Sequence, residues 1–222
     1  MIWGCSKPPS GYRLYYFPYD ELETPKVYTY RNVENFNDVW YYSVASQIGE
    51  KKTLIHIDIF DSKLNQTESI LMKVENTGVF AEEYECLVDS VQMKMKIYAD
   101  TIFLWDMNEN SKFMFESSIN RPETRNLCVK KKVRTFVGES DKFVYEGVDY
   151  KTIIIDQDEY YNDGTDALTL QKTSYTFARG LGIVSFVRNE KNEKEKRYEL
   201  KSIEPYNIWE KYKDSQNNKV IL

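Results

Sequence analysis

A chain of 222 residues with 41% hydrophobic and 29% charged side chains and a mean hydropathy of −0.61 has the composition of a folded globular protein, not of a disordered or membrane-embedded one. Its net charge of −5 supplies no general positive field for nucleic acid, and no run of about 18 apolar residues is present to span a bilayer as a helix. The aromatic share of 15%, with 18 Tyr and 11 Phe, suits pleated sheet better than helix.

The chain opens with MIWGCSKPPSGY, which resembles the cleavage region of a bacterial lipoprotein signal. There an apolar residue, a small residue and a cysteine mark the site of lipid attachment, and Ile2, Gly4 and Cys5 take those places. The polar, proline-containing run 6–11 reads as a tether. Only four residues precede Cys5, too few for the charged and apolar regions that direct export, so either the start is truncated or the match is chance. If it holds, Cys5 is the lipid attachment site, and two acyl chains at about 0.8 kcal/mol per buried methylene anchor the protein stably to a membrane. Residues 1–25 are thus read as a lipobox-like start, linker and lead-in, with 12–22 an extended aromatic segment broken by Pro18.

From residue 26 to 205 a single antiparallel β domain is expected, because short β-branched and aromatic runs alternate with polar turns. Strands are predicted over 26–33, 39–45, 53–60, 69–75, 78–88, 91–99, 101–105, 112–118, 127–137, 143–156, 183–188 and 197–203. In TLIHIDIF, Ile55, Ile57 and Ile59 share one face while Leu54, His56, Asp58 and Phe60 share the other. In VQMKMKIY, Val91, Met93, Met95 and Ile97 form the apolar set. The segments DMNENS and NEKNEKEK read as hairpin loops. Helix signals are confined to residues 206–214, within a tail that runs to 222. About a dozen strands burying their apolar faces together imply an all-β fold, as a large curved antiparallel sheet, an open or half barrel, or a sandwich.

The chemistry-bearing residues are sparse. His56 is the single histidine, and although Asp58 shares its strand face, no nucleophile motif accompanies the pair. Cys86 and Cys128 make no CxxC and have no histidine at zinc-ligand spacing, so no metal or cofactor is expected. They either pair as a disulfide in an oxidising compartment or persist as two buried thiols. DQDEYYNDGTD, residues 156–166, lacks oxygen ligands at the positions a calcium loop needs and is read as an acidic turn after a strand. KKKVR, residues 130–134, is read as a strand whose charges face water and protect an edge, not as a nucleic-acid patch. Paired carboxylates for a hydrolase have no sequence signature among 35 acidic residues.

YTFARGLGIVSF, residues 175–186, carries two glycines, Gly180 and Gly182, followed by a β-run. A dinucleotide loop needs a third glycine and a helix, so these glycines are read as the joint that feeds a closing hairpin. Tyr175, Phe177, Ala178, Arg179, Gly180, Gly182, Ile183, Val184, Phe186 and then Tyr198, Glu199 and Leu200 resemble the C-terminal hairpin of β-rich envelope lipoproteins of the Bacteroidetes type. That resemblance implies a curved antiparallel sheet akin to the half-barrels of lipoprotein carriers, and a place in the bacterial cell envelope, facing the periplasm or the cell exterior. It carries no catalytic residues across. The expectation is a non-catalytic envelope lipoprotein, membrane-bound only through its anchor, with an apolar ligand or lipid on a concave sheet. An envelope structural or protein-interaction module and, last, a carboxylate-based hydrolase are the alternatives.

Overall fold

The computed structural model describes residues 11–88, 91–121, 126–162, 168–190 and 194–219. Its strands are β1 (Lys26–Asn32), β2 (Val39–Ile48), β3 (Thr53–Phe60), β4 (Gln66–Val74), β5 (Gly78–Val88), β6 (Val91–Lys94), β7 (Lys96–Leu104), β8 (Lys112–Asn120), β9 (Leu127–Tyr145), β10 (Val148–Asn162), β11 (Leu168–Ala178), β12 (Gly182–Glu190) and β13 (Lys196–Pro205). One helix, α1 (Tyr206–Lys219), follows. Each strand pairs antiparallel with its neighbour in the chain except that β6 and β7 both pair with β5; β1 pairs with β13 and β4 with β5, so the ring closes. β6 is a flap on the far half of β5, whose near half pairs with β7, leaving twelve of the thirteen strands in a closed barrel.

The all-β expectation holds, but the half-barrel does not. A half-barrel would leave the backbone groups of β4 and β5 unpaired along two edges, and here they satisfy each other over seven residue pairs from Glu68–Cys86 to Val74–Val79. Several boundaries shift, those of β4 and β10 among them. The strand expected over 91–99 breaks at Met95, which is buried, and β9 continues to Tyr145 through a bulge, ending in a two-residue turn with Glu146 and Gly147 both at positive φ.

Period-two alternation sends Ile55 and Ile57 of β3 into the lumen and leaves His56 exposed outside. Phe60, on the outward face, is nonetheless buried, because α1 lies over it: Trp209 packs at 4.9 Å from Phe60 and 5.8 Å from Tyr41, with Val27 and Val39 beside them. Elsewhere the outer wall carries charged pairs, such as Lys94 with Glu83, Lys172 with Asp158 and Lys201 with Glu199, among scattered exposed apolar residues such as Ile48 and Tyr98. A lipid-facing wall would instead present an apolar band, each lysine or arginine near its middle costing about 2–4 kcal/mol, so this barrel faces water.

A twelve-stranded barrel is too wide for side chains from its own wall to fill. The lead-in supplies the difference. Instead of the extended segment expected, it forms two 3-10 turns, Gly11–Tyr15 and Tyr19–Glu21, which seat Tyr15, Tyr16, Phe17, Tyr19 and Leu22 inside one end of the barrel. Backbone hydrogen bonds hold this plug to the wall: Tyr12 N–H donates to the Trp105 carbonyl, Ser46 N–H to the Leu22 carbonyl and Gly180 N–H to the Leu14 carbonyl. Pro18 excludes a regular helix, and five large rings in so short a span gain more from burial in the lumen than from any one-sided surface.

Candidate functional site

The lumen has two chambers with a common wall. The one above the plug is apolar: Ile57, Ile70, Met72, Phe103, Ile155 and Phe177 line it, and Tyr16 and Phe17 lie beneath it. It encloses about 100 Å³. The second, about 160 Å³, lies toward the opposite mouth and is polar, with Trp40, Lys130, Glu159, Gln171, Thr173 and Arg188 in its walls. Tyr42, Ile59, Glu68, Lys132 and Tyr175 belong to both.

The polar chamber is built from β9. Lys130, Lys132 and Arg134 alternate with Lys131 and Val133, and register opposite Ser117, Phe115 and Phe113 of β8 puts the first three inside. This reverses the water-facing reading of KKKVR: β9 lies between β8 and β10 and has no edge to protect. The two lysines meet Glu68, which projects from β4, four positions away round the ring. Lys130 Nζ lies 2.6 Å from Glu68 Oε1 and 3.1 Å from Glu159 Oε1; Lys132 Nζ lies 2.8 Å from Glu68 Oε2 and 3.8 Å from Glu159 Oε2. All four side chains are between 11% and 19% exposed, so the quartet is a neutral ionic clasp inside the lumen.

Burial by itself raises the pKa of a carboxyl, but the two ammonium groups outweigh it and hold Glu68 and Glu159 below the usual carboxylate range. For Lys130, burial pulls downward and the carboxylates of Glu159 and Glu68 more than restore it, leaving it well above the ordinary lysine value.

Two further cations lie beside the clasp. Arg134 reaches into the apolar chamber, where Nη1 donates to the Ile102 carbonyl at 3.3 Å. Arg188 of β12 stacks over Trp40 at 4.0 Å and near Phe186 at 5.0 Å, and its Nε is buried without a hydrogen-bond partner among the described residues. Neither guanidinium has a carboxylate at ion-pair distance among the described residues. At the rim, Asp38 accepts hydrogen bonds from Asn32 and from the Tyr198 hydroxyl. The Tyr84 hydroxyl and Gln157 Oε1 are likewise buried without hydrogen-bond partners among the described residues.

Sequence reasoning missed this cluster. Glu68 fell just outside its predicted strand, and Glu159 was assigned to an acidic turn, whereas β10 continues to Asn162. The remaining part of that turn, residues 163–167, and Cys5 lie outside the described residues. Cys86 and Cys128 are both buried and are not joined in a disulfide. Burial pushes the Cys86 thiol up, which lowers its reactivity.

Gly180 and Gly182 lie in the tight turn between β11 and β12, at φ +81° and +85°. β12 begins at Gly182 itself, so no helix follows. The close approach at Gly182 is made by the plug: an added Cβ would stand 2.7 Å from the Phe17 ring. With the Gly180 N–H bound to Leu14, the turn is the socket in which the plug sits.

On the outer wall, His56 Nε2 lies 2.9 Å from Ser69 Oγ and 3.4 Å from Asp58 Oδ1. A catalytic triad places serine and carboxylate on opposite ring nitrogens, and here both address the same one, in a groove walled by exposed Gln47 and Glu83. Among the described residues no three His, Cys, Asp or Glu side chains are grouped to hold a metal, and no helix is long and apolar enough to cross a membrane.

The fold and the lumen together define a water-facing, closed meander barrel, plugged at one end and lined with charge toward the other. No family model and no curated protein matches the chain. Two solved structures share its fold. One is a protein of Bacteroides fragilis described as exported and as having a YmcC-like fold, 10% identical, with a TM-score of 0.52 over 85% of this chain and 98% of that one. The other is a protein of Parabacteroides distasonis described as a lipoprotein, 11% identical, with a TM-score of 0.52 over 87% of this chain and 98% of that one.

Proposed function

We propose that the chain is a non-catalytic binding protein of the bacterial cell envelope, anchored through Cys5, whose lumen receives a small molecule with an apolar part. The observation that carries the reading is the apolar chamber itself. A barrel built only for stability would be expected to fill its centre, since interiors pack to crystal density, and here Ile57, Ile70, Met72 and Phe103 surround about 100 Å³ instead. An engineered void of roughly 150 Å³ with similar walls binds benzene, so the scale suits a short apolar group.

The non-catalytic part is supported by the clasp. A carboxylate hydrolase needs one carboxyl with a raised pKa to act as acid, and Glu68 and Glu159 are both held in the ionised form by lysines. Placement in the envelope is supported by Ile2, Gly4 and Cys5, and by the exported and lipoprotein descriptions of the two proteins that share the fold.

Two measurements test the proposal. Labelled palmitate fed to cells expressing the native gene with its upstream DNA should label the protein, and Cys5→Ala should abolish the label; an unlabelled wild type would remove the anchor. Octanol should raise the melting temperature of the purified domain in a saturable way, by mass action. A domain indifferent to octanol and to other apolar probes of that size would remove the ligand and leave the protein-interaction module as the reading.

A further inference from the structure

We infer that the molecule held in the lumen is a single-chain amphiphile with an anionic head group, a carboxylate or phosphate monoester, received by Arg134, Arg188 and Lys132 where the two chambers meet. This rests on the preceding proposal for the apolar part of the ligand and adds the chemistry of its head.

The charge balance of the lumen is the first observation. Glu68 and Glu159 match Lys130 and Lys132 one for one, and the distances between them, 2.6 to 3.8 Å, leave neither carboxylate to serve a third cation closely. Arg134 and Arg188 are therefore in excess among the described residues. The partners they do have, the Ile102 carbonyl on Arg134 and the Trp40 face and Tyr42 hydroxyl on Arg188, are neutral, and a buried charge without a counter-ion is unfavourable enough that a barrel selected only for stability would replace it by an apolar side chain of similar volume. Retaining two such guanidiniums on one lumen is what an anion site requires.

The second observation is placement. Arg134 lies in the wall of the apolar chamber and Arg188 in that of the polar one, while Lys132, Tyr42 and Tyr175 belong to both. The Arg188 Nε has no acceptor among the described residues and faces the lumen together with Tyr42 and Tyr175, whose hydroxyls lie close enough to interact electrostatically with it. Guanidinium forks match the planar oxygens of a carboxylate and the tetrahedral ones of a phosphate, with charge-assisted hydrogen bonds about twice as strong as neutral ones. The same chamber is lined by Ile57, Ile70, Met72 and Phe103, so a chain extending from a head at the junction meets a mainly apolar wall on its way to Phe17 of the plug. Burial also depresses the Arg134 pKa, and an anion beside it would reverse that pull.

Size sets the length of the chain. The chambers enclose about 100 and 160 Å³, below the roughly 300 Å³ from which drug-sized pockets start, which suits a medium-length chain of one acyl group and excludes a two-chain phospholipid.

The test compares octanoate, octyl phosphate, octanol and inorganic phosphate by calorimetry on the wild-type chain and on Arg134→Met, Arg188→Met and the matching Arg→Lys variants. At least one of the two anionic amphiphiles should bind about tenfold or more tightly than octanol, a difference that calls for about 1.4 kcal/mol. Each Arg→Met variant should bring that anion down to the octanol level while the ligand-free melting temperature is kept or raised, and Arg→Lys should restore part of the preference. Octanol binding as tightly as both anions, or anion binding unchanged in the Met variants, overturns the head-group assignment and leaves the apolar reading standing. Inorganic phosphate binding as tightly as octyl phosphate, with octanol inert, overturns the apolar reading and keeps the anion site. A large fall in melting temperature in the ligand-free Met variants would show the arginines to be structural and overturn the inference.

Discussion

Replacing Gly182 by alanine tests whether the plug is an integral part of the barrel. Two costs add. An alanine at φ +85° carries the left-handed penalty of about 1–2 kcal/mol that glycine escapes. Its Cβ would also stand 2.7 Å from the Phe17 ring, and forcing an extra carbon into a packed site costs about 1–3 kcal/mol more. Gly182→Ala should therefore lose about 2–5 kcal/mol in a urea unfolding curve, a large share of the stability of a domain. The second component belongs to Phe17 alone. In a Phe17→Leu background, which takes away the ring edge facing Gly182, the same substitution should cost only the backbone part, giving a coupling energy of about 1–3 kcal/mol between two residues 165 positions apart. A neutral Gly182→Ala, or additive costs in the double variant, would refute the seating of the plug against the β11–β12 turn.

Glu68→Gln leaves two buried lysines sharing Glu159, so it should destabilise by roughly 2–4 kcal/mol, somewhat less than loss of a whole buried pair because Lys130 keeps Glu159 at 3.1 Å; thermal unfolding of the variant checks this. The folded-state pKa values of Glu68 and Glu159 lie below their unfolded ones, so the clasp contributes fully above the unfolded carboxylate value of about 4.3 and its contribution is lost as pH falls through the depressed values. Lys130 behaves in the opposite sense, its folded pKa being raised: its contribution is intact below about 10.4 and is lost only as pH climbs through the raised value. Urea midpoints measured from pH 6 to 2 should accordingly fall in the wild type below about pH 4 and fall less steeply in Glu68→Gln. Trp209→Ala should cost about 3 kcal/mol and open α1 to proteolysis while the barrel stays folded, since Trp209 packs on the outer cluster of Val27, Val39, Tyr41 and Phe60 and not in the lumen.

Much of the wall was legible in the chain. Period-two alternation in TLIHIDIF assigned Ile55 and Ile57 to the buried face and His56 to the outer one, because the pleat fixes which residues share a side whatever the sheet packs against. The two glycines of residues 175–186 were legible as a joint between strands, for the positive φ of a tight turn is a local demand.

The lumen was not legible in that way. In KKKVR the pattern separates Lys130, Lys132 and Arg134 from Lys131 and Val133, but it does not say which set faces in, and ordinary hydrophobic reasoning sends the charges out. What reverses it lies 62 and 64 positions earlier in the chain: Glu68, carried by β4 four strands away round the ring, meets Lys130 and Lys132 in the lumen. The aromatic lead-in posed the same difficulty, since nothing local distinguishes an extended linker from a plug until twelve strands have closed round a space their own side chains cannot fill. By itself the sequence determined most of the strands and which residues share a face, because these follow from backbone sterics over a few neighbours. Only the tertiary structure decided the closure at β4–β5, the plug, and the charged interior, because each depends on groups brought together across the ring.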